Sequence, residues 1–227
     1  HAVKTAVVTD GKYRASLAAV RALGEAGFSV VVTQTRQEAV HTPASFVSKF
    51  AKEGRWMEGS CRDADYGERL TALLQAYDHP VLFPTGADTL RWISAHREEL
   101  AGTADFLVAS PQALADLNDK ETVHQRCLAL GLPVPQEYDG PPDRYPVVVK
   151  PRCGEQFGLK SWERYTIAEG QAAYQRAYET MSQYGGAPIV QEKVSGPGEG
   201  VNLLLDQNSR LVCAFCHRRL REYPVTG

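Results

Sequence analysis

The chain has 227 residues, 43% of them hydrophobic, enough for one large or two modest domains around a conventional core. A formal net charge of -2 offers no global attraction to nucleic acid or anionic lipid, and no apolar run reaches membrane-spanning length, so neither partner is expected. The start lacks the basic and apolar segments of an export signal, and the five cysteines are an odd, scattered set, which points to the cytoplasm and free thiols rather than a disulfide framework.

In chain order, AVVTDGKYRASLAAVRALGEAGFSVVVTQ (6–34) reads as strand, turn, amphipathic helix and strand, a βαβ unit that implies a parallel sheet. EGRWMEGSCRDADYGERLTALLQAY (53–77) reads as a loop and one more helix. VLFPT (81–85) is strand-like, GADTLRWISAHREEL (86–100) is helical through Leu90, Ile93 and Leu100, and FLVAS (106–110) reads as another strand. Residues 1–111 are therefore expected to form a small doubly wound α/β domain.

From Pro111 the pattern changes to a short helix and a longer one stopped by Gly131 and Pro133, followed by a proline-rich linker, PQEYDGPPDRYP. VVVKP (147–151) is a short buried strand leading into the glycine loop RCGEQFG, and a helix is expected from about Ile167 to Tyr184. PIVQEKV (188–194) is a strand, SGPGEG a loop, and VNLLLDQNSRLVCAFCHRRLRE a hairpin turning at Asp206 to Ser209.

Several local patterns bear on chemistry. The first turn, TDGKYRAS, has only Gly11 where a dinucleotide-binding turn needs three glycines, so Gly11 reads as turn punctuation. Cys213, Cys216 and His217 spell C-x-x-C-H, yet residues three apart on a strand face opposite ways and cannot converge on one haem or metal; the two cysteines read as small buried apolar residues. His217, Arg219 and Arg221 are expected to share one strand face, where guanidinium forks suit phosphate or carboxylate; Arg219 and Arg221 are candidate catalytic groups on that ground. Lys150 closes an apolar strand, and Gly154 and Gly158 just after it permit a loop whose N–H groups turn toward an anion.

Taken together, DK at 119–120, VVVKPRCGEQFG, QEKV and a second Glu seven residues after Glu192 resemble the ATP-grasp superfamily, in particular its carbamoyl-phosphate-synthase-like ATP-binding branch. The resemblance covers nearly the whole chain and implies a pre-ATP-grasp α/β domain at 1–111 and an incomplete α+β ATP-grasp domain at 112–227, with a lid subdomain at about 146–190. It implies that Lys120 and Lys150 hold the phosphates and adenine edge of ATP and that Gly154 and Gly158 belong to the lid. Glu192, Lys193 and Val194 would form the hinge that pairs with adenine, and Glu199 would accept the ribose hydroxyls. Two residues depart from the pattern: Glu155 and Phe157 stand where such proteins carry small residues.

The activity so implied is an ATP-dependent ligase that activates a small-molecule carboxylate as an acyl phosphate for attack by an amine or ammonia; a homodimer is allowed. Proteins of this kind hold Mg²⁺ on late strands, so its ligands are expected beyond the C-terminus and none within the chain, and the chain alone is expected not to turn over. The alternative from another class is a non-catalytic nucleotide-binding or interaction module on the same scaffold.

Overall fold

The computed structural model describes residues 3–152 and 157–221. Internal contacts divide the chain into two compact units, one ending at Pro111 and the other beginning at Gln112. No helix among the described residues is long and apolar enough to cross a membrane.

The first unit is built on a four-stranded parallel sheet of order β3-β2-β1-β4, from β1 (Thr5–Val8), β2 (Ser29–Thr35), β3 (Ala51–Met57) and β4 (Val81–Phe83). Successive strand residues face opposite sides of a sheet, which makes two cores from one run of valines. Val8, Val30 and Val32 pack with Val20 of α1 (Arg14–Glu25) on one face. Val7, Val31 and Leu82 pack on the other with Leu70 and Leu74 of α2 (Tyr66–Leu74) and Ile93 of α3 (Ala87–Ala95). Helices on both faces make this unit doubly wound, and a short α4 (Arg97–Leu100) follows.

Two sequence expectations fail here. The segment before α2 contains an edge strand, β3, which its charged alternation of Lys52, Glu53 and Arg55 concealed; with one neighbour only, the strand keeps these side chains partly in water. FLVAS is not a strand. Pairing with Val81 stops at a single bridge at Asp105, and the Ala109 carbonyl accepts from Ser94 Oγ (2.6 Å) in place of a ladder hydrogen bond.

The helix α5 (Pro111–Asn118) starts at the boundary and leads into the second unit, where α6 (Lys120–Ala129) follows. Its core sheet is antiparallel, of order β6-β5-β7, from β5 (Val147–Lys150), β6 (Thr166–Ala168) and β7 (Ile189–Glu192). Val147, Val149, Ala168 and Val190 bury one face against Tyr174, Ala177 and Met181 of α7 (Gln171–Ser182), each large side chain contributing about 1.5–3 kcal/mol. The helix begins at Gln171, later than expected, because Ile167 is taken by β6 and Gly170 stands before the first turn.

A separate antiparallel ribbon pairs β8 (Glu199–Leu205) with β9 (Leu211–Arg218). It turns where the sequence indicated: the Asp206 carboxylate accepts from the N–H groups of Asn208 (2.8 Å) and Arg210 (2.9 Å). Cys213 and Cys216 are exposed rather than buried, since neither face of the ribbon is covered by the described residues. The expected common strand face for His217, Arg219 and Arg221 also fails, because β9 ends at Arg218.

Candidate functional site

The candidate site lies in the second unit, where α6 meets the end of β5 and the adjoining strand β7. Asp119 caps α6, its carboxylate accepting from Thr122 N (3.2 Å) and Thr122 Oγ1 (2.6 Å). Arg152 holds the same carboxylate through Nε (2.9 Å) and Nη2 (3.1 Å) and reaches Glu121 through Nη1 (2.5 Å). Arg152 and then Thr122 keep the Asp119 carboxyl well below the usual aspartate range.

Lys120 is the first residue of that helix, where a cation opposes the helix dipole. Its ammonium turns away and donates to the carbonyls of Pro151 (3.4 Å) and Arg152 (3.1 Å), just after β5. Lys150 ends β5, and strand alternation sends it to the face opposite the Val147 and Val149 core. Burial, and after it the charge of Lys120, pushes the Lys150 ammonium below the ordinary lysine range, while Glu137 opposes the shift.

The partner of Lys150 is Gln191 on the neighbouring strand: Lys150 Nζ donates to Gln191 Oε1 at 2.5 Å. Gln191 is 8% exposed, and its Nε2 donates to Glu137 Oε1 at 2.6 Å. His124 Nδ1 lies 3.2 Å from the same oxygen. The sequence carries no signal that joins Gln191, Glu137 and His124, each of which stands in an unremarkable local context. The local signal is the position of Gln191 between a buried valine and Glu192.

At the end of β7, Glu192 clips the segment alongside: its N–H donates to Gln136 O (2.9 Å) and its carboxylate accepts from Gln136 N (3.0 Å). Lys193 N lies 3.4 Å from Pro146 O, and Val194 is 68% exposed. Glu199 begins β8 and pairs with Arg218 (2.7 and 2.8 Å). Arg219 N donates to Gly198 O at 2.7 Å, and Arg221 follows outside the strand.

Of the glycine loop, Gly154 and Glu155 lie outside the described residues. Gly158 has a φ of +67°, a conformation that side-chain-bearing residues rarely adopt. Phe157 rests its ring edge-on against Tyr184, with centroids 5.9 Å apart.

The structure thus brings Lys120 and Lys150 together beside the end of β5, whereas Glu192 stands at the other end of the β5–β7 pair, opposite Val147, and Glu199 is carried on the β8–β9 ribbon. A cavity of about 480 Å³ in the same unit is lined by Glu121, Glu137, Arg152, Tyr174 and Tyr178 among others, and by none of Lys120, Lys150, Glu192 or Glu199. Among the described residues no group of three or more His, Cys, Asp or Glu is placed to hold a metal ion.

The first unit presents no comparable anion site at its first turn. Gly11 N donates to Thr33 O (2.9 Å), and a Cβ on Gly11 would meet Ser45 Oγ at 2.9 Å, so the glycine serves a close-packed turn. The start of α3 is already supplied with a carboxylate by the chain itself. Asp10 accepts there from Gly86 N (2.9 Å) and Thr89 Oγ1 (2.8 Å), a constellation the sequence did not reveal.

No protein-family model matches the sequence, and no curated protein matches it. Solved structures do. The chain is similar to biotin carboxylase from Campylobacter jejuni in complex with βγ-ATP, with 15% identity and a TM-score of 0.63, over 92% of this chain and 49% of that one. It is similar to carboxyaminoimidazole ribonucleotide synthase from Aspergillus clavatus complexed with ATP, with 14% identity and a TM-score of 0.59, over 96% of this chain and 55% of that one. A third, L-amino acid ligase from Bacillus licheniformis, shares 12% identity with a TM-score of 0.55, over 93% of this chain and 50% of that one. The chain spans about half the length of these structures. Its fold is the ATP-grasp fold, a doubly wound α/β domain followed by part of the grasp domain.

Proposed function

We propose that the second unit binds ATP and serves as the ATP-binding portion of a ligase that joins a carboxylate to an amine or ammonia, of the carbamoyl-phosphate-synthase-like kind. The observation that carries this reading is the pair Lys120 and Lys150. Two ammonium groups are held close enough for one to depress the other, and Lys150 pays a burial cost as well. Like charges gathered at a sheet end with neutral oxygens as their partners suit a polyanion that compensates both.

In this reading Lys120 and Lys150 grip the phosphates, with Lys150 also reaching the adenine edge. The backbone of Glu192, Lys193 and Val194 pairs with the base, and exposed Val194 gives it an apolar wall. Glu199 accepts the ribose hydroxyls, exchanging part of its pairing with Arg218. Gly154 and Gly158 serve the lid, and Arg219 and Arg221 are candidates for contact with the activated carboxylate. Bound ATP supplies the phosphoryl group that turns a carboxylate into an acyl phosphate. The chain's own part is to position that group and neutralise its charge. The biotin carboxylase and synthase structures with ATP ligands support the choice of nucleotide. Mg²⁺ would accompany the ATP and share the neutralisation of its phosphates with the two lysines.

Calorimetric titration of ATP into the wild type and Lys150→Ala tests the reading. The wild type should bind, and the variant should bind at least about tenfold more weakly, as expected for loss of a charge-assisted contact. Equal heats from the two proteins would remove the site assignment.

A further inference from the structure

Lys150 has an acidic residue within reach of its neighbourhood and does not pair with it directly. Gln191 stands between them. Its carbonyl oxygen takes the ammonium at 2.5 Å, and its amide nitrogen gives a hydrogen bond to Glu137 at 2.6 Å. Both ends of the amide are therefore used, which fixes its orientation, and burial leaves it little freedom to turn. Glu137 is held in turn: the bridge between Glu137 and Gln191 sets its backbone, and His124 of α6 lies against its carboxylate at 3.2 Å.

A direct Lys150–Glu137 ion pair would satisfy the ammonium and force any incoming anion to compete with a carboxylate. A neutral amide in the gap transmits direction without delivering a full negative charge. We propose that Gln191 is a positioning residue for Lys150, a spacer that aims the ammonium and keeps it from collapsing onto Glu137, so that its charge remains available to a phosphate-bearing ligand. This rests on the ATP-site reading for the ligand, though not for the behaviour of Lys150 itself. The charged and titratable groups facing Lys150 are Lys120 and Glu137, with His124 behind Glu137.

The test uses the whole chain and two readouts. The first is the titration of the Lys150 side chain by NMR of isotope-labelled lysine, assigned with Lys150→Arg, without nucleotide. The second is the affinity for ADP against adenosine, which lacks the phosphates. Gln191→Glu should raise the Lys150 pKa by putting a carboxylate on the ammonium, and weaken ADP at least tenfold while leaving adenosine within about twofold. Gln191→Met, of similar volume and without an acceptor, should lower the Lys150 pKa and also weaken ADP selectively. Glu137→Gln leaves Gln191 in place and should lower the Lys150 pKa, which covers the case of a Gln191 variant that fails to fold.

A Lys150 titration that is the same in the folded variants and wild type overturns the proposal, as does equal weakening of ADP and adenosine. If the wild type binds neither ligand, the nucleotide reading falls, while the titration still decides whether Gln191 governs Lys150.

Discussion

Asp119 Oδ1 receives the Arg152 guanidinium at 2.9 Å, joining the cap of α6 to the chain just after β5. Because the folded carboxyl is held below its ordinary value, its stabilising contribution is complete above about pH 4 and is lost as the pH falls through the folded value. Asp119→Ala should lower unfolding free energy by roughly 1–2 kcal/mol at pH 7, combining a lost cap with a solvent-screened ion pair. Asp119→Asn, which keeps a capping oxygen, should lose less. Urea denaturation at pH 7 and pH 3 checks this, with the gap between wild type and Asp119→Ala narrowing at the lower pH.

Lys150 has the opposite sign. Its folded pKa is depressed, so the folded state carries a cost for the charged ammonium at neutral pH, and that cost disappears as the pH rises through the depressed value toward the ordinary lysine value. An anionic ligand should raise this pKa again. Binding of ATP between the depressed and ordinary values should therefore take up protons, seen as a dependence of the calorimetric heat on buffer ionisation enthalpy. Lys150→Ala should abolish that dependence.

Asp10 should be a point of high sensitivity in the first unit. It is 7% exposed, adopts a φ of +58°, and accepts from Gly86 N and Thr89 Oγ1. Asp10→Ala strands both donors in a buried place and should cost about 2–4 kcal/mol. Asp10→Asn tolerates the backbone conformation and keeps one acceptor, so its thermal unfolding midpoint should lie between those of wild type and Asp10→Ala.

The cysteines should separate by reactivity. Burial, with Glu38 close by, raises the Cys61 thiol to about 11, whereas Cys213 and Cys216 are exposed. Brief alkylation at pH 8 followed by peptide mass spectrometry should label Cys213 and Cys216 quickly and Cys61 only after denaturation. Fast labelling of Cys61 in the folded protein would contradict the packing around Glu38.

Legibility followed the amount of information each segment carries locally. The valine runs of β1 and β2 announce a buried parallel sheet because both of their faces are covered, leaving no polar alternation to confuse the pattern. An edge strand such as β3 is written in charged residues because one side of it meets water. FLVAS is apolar enough for a strand, yet strand pairing stops at Asp105 and the Ala109 carbonyl is taken by Ser94 Oγ. Lys150 is legible because a lysine is costly after an apolar strand, and Lys120 through the resemblance carried by DK at 119–120. Gln191, Glu137 and His124 are not, since an amide bridge exists only when residues from β7, the preceding segment and α6 come together.

The opening βαβ unit, the buried strand ending at Lys150 and the turn at Asp206 were determined by the sequence alone, through periodicity, charge placed against an apolar run, and turn chemistry. Which neighbour each charge receives was decided by the tertiary structure. Lys150 faces a neutral glutamine rather than a carboxylate, Asp119 holds Arg152, and Asp10 fills the start of α3. Local spacing carries conformational preference, whereas partnering depends on distances of a few ångströms between residues up to about eighty positions apart, and only the folded sheets bring those within reach.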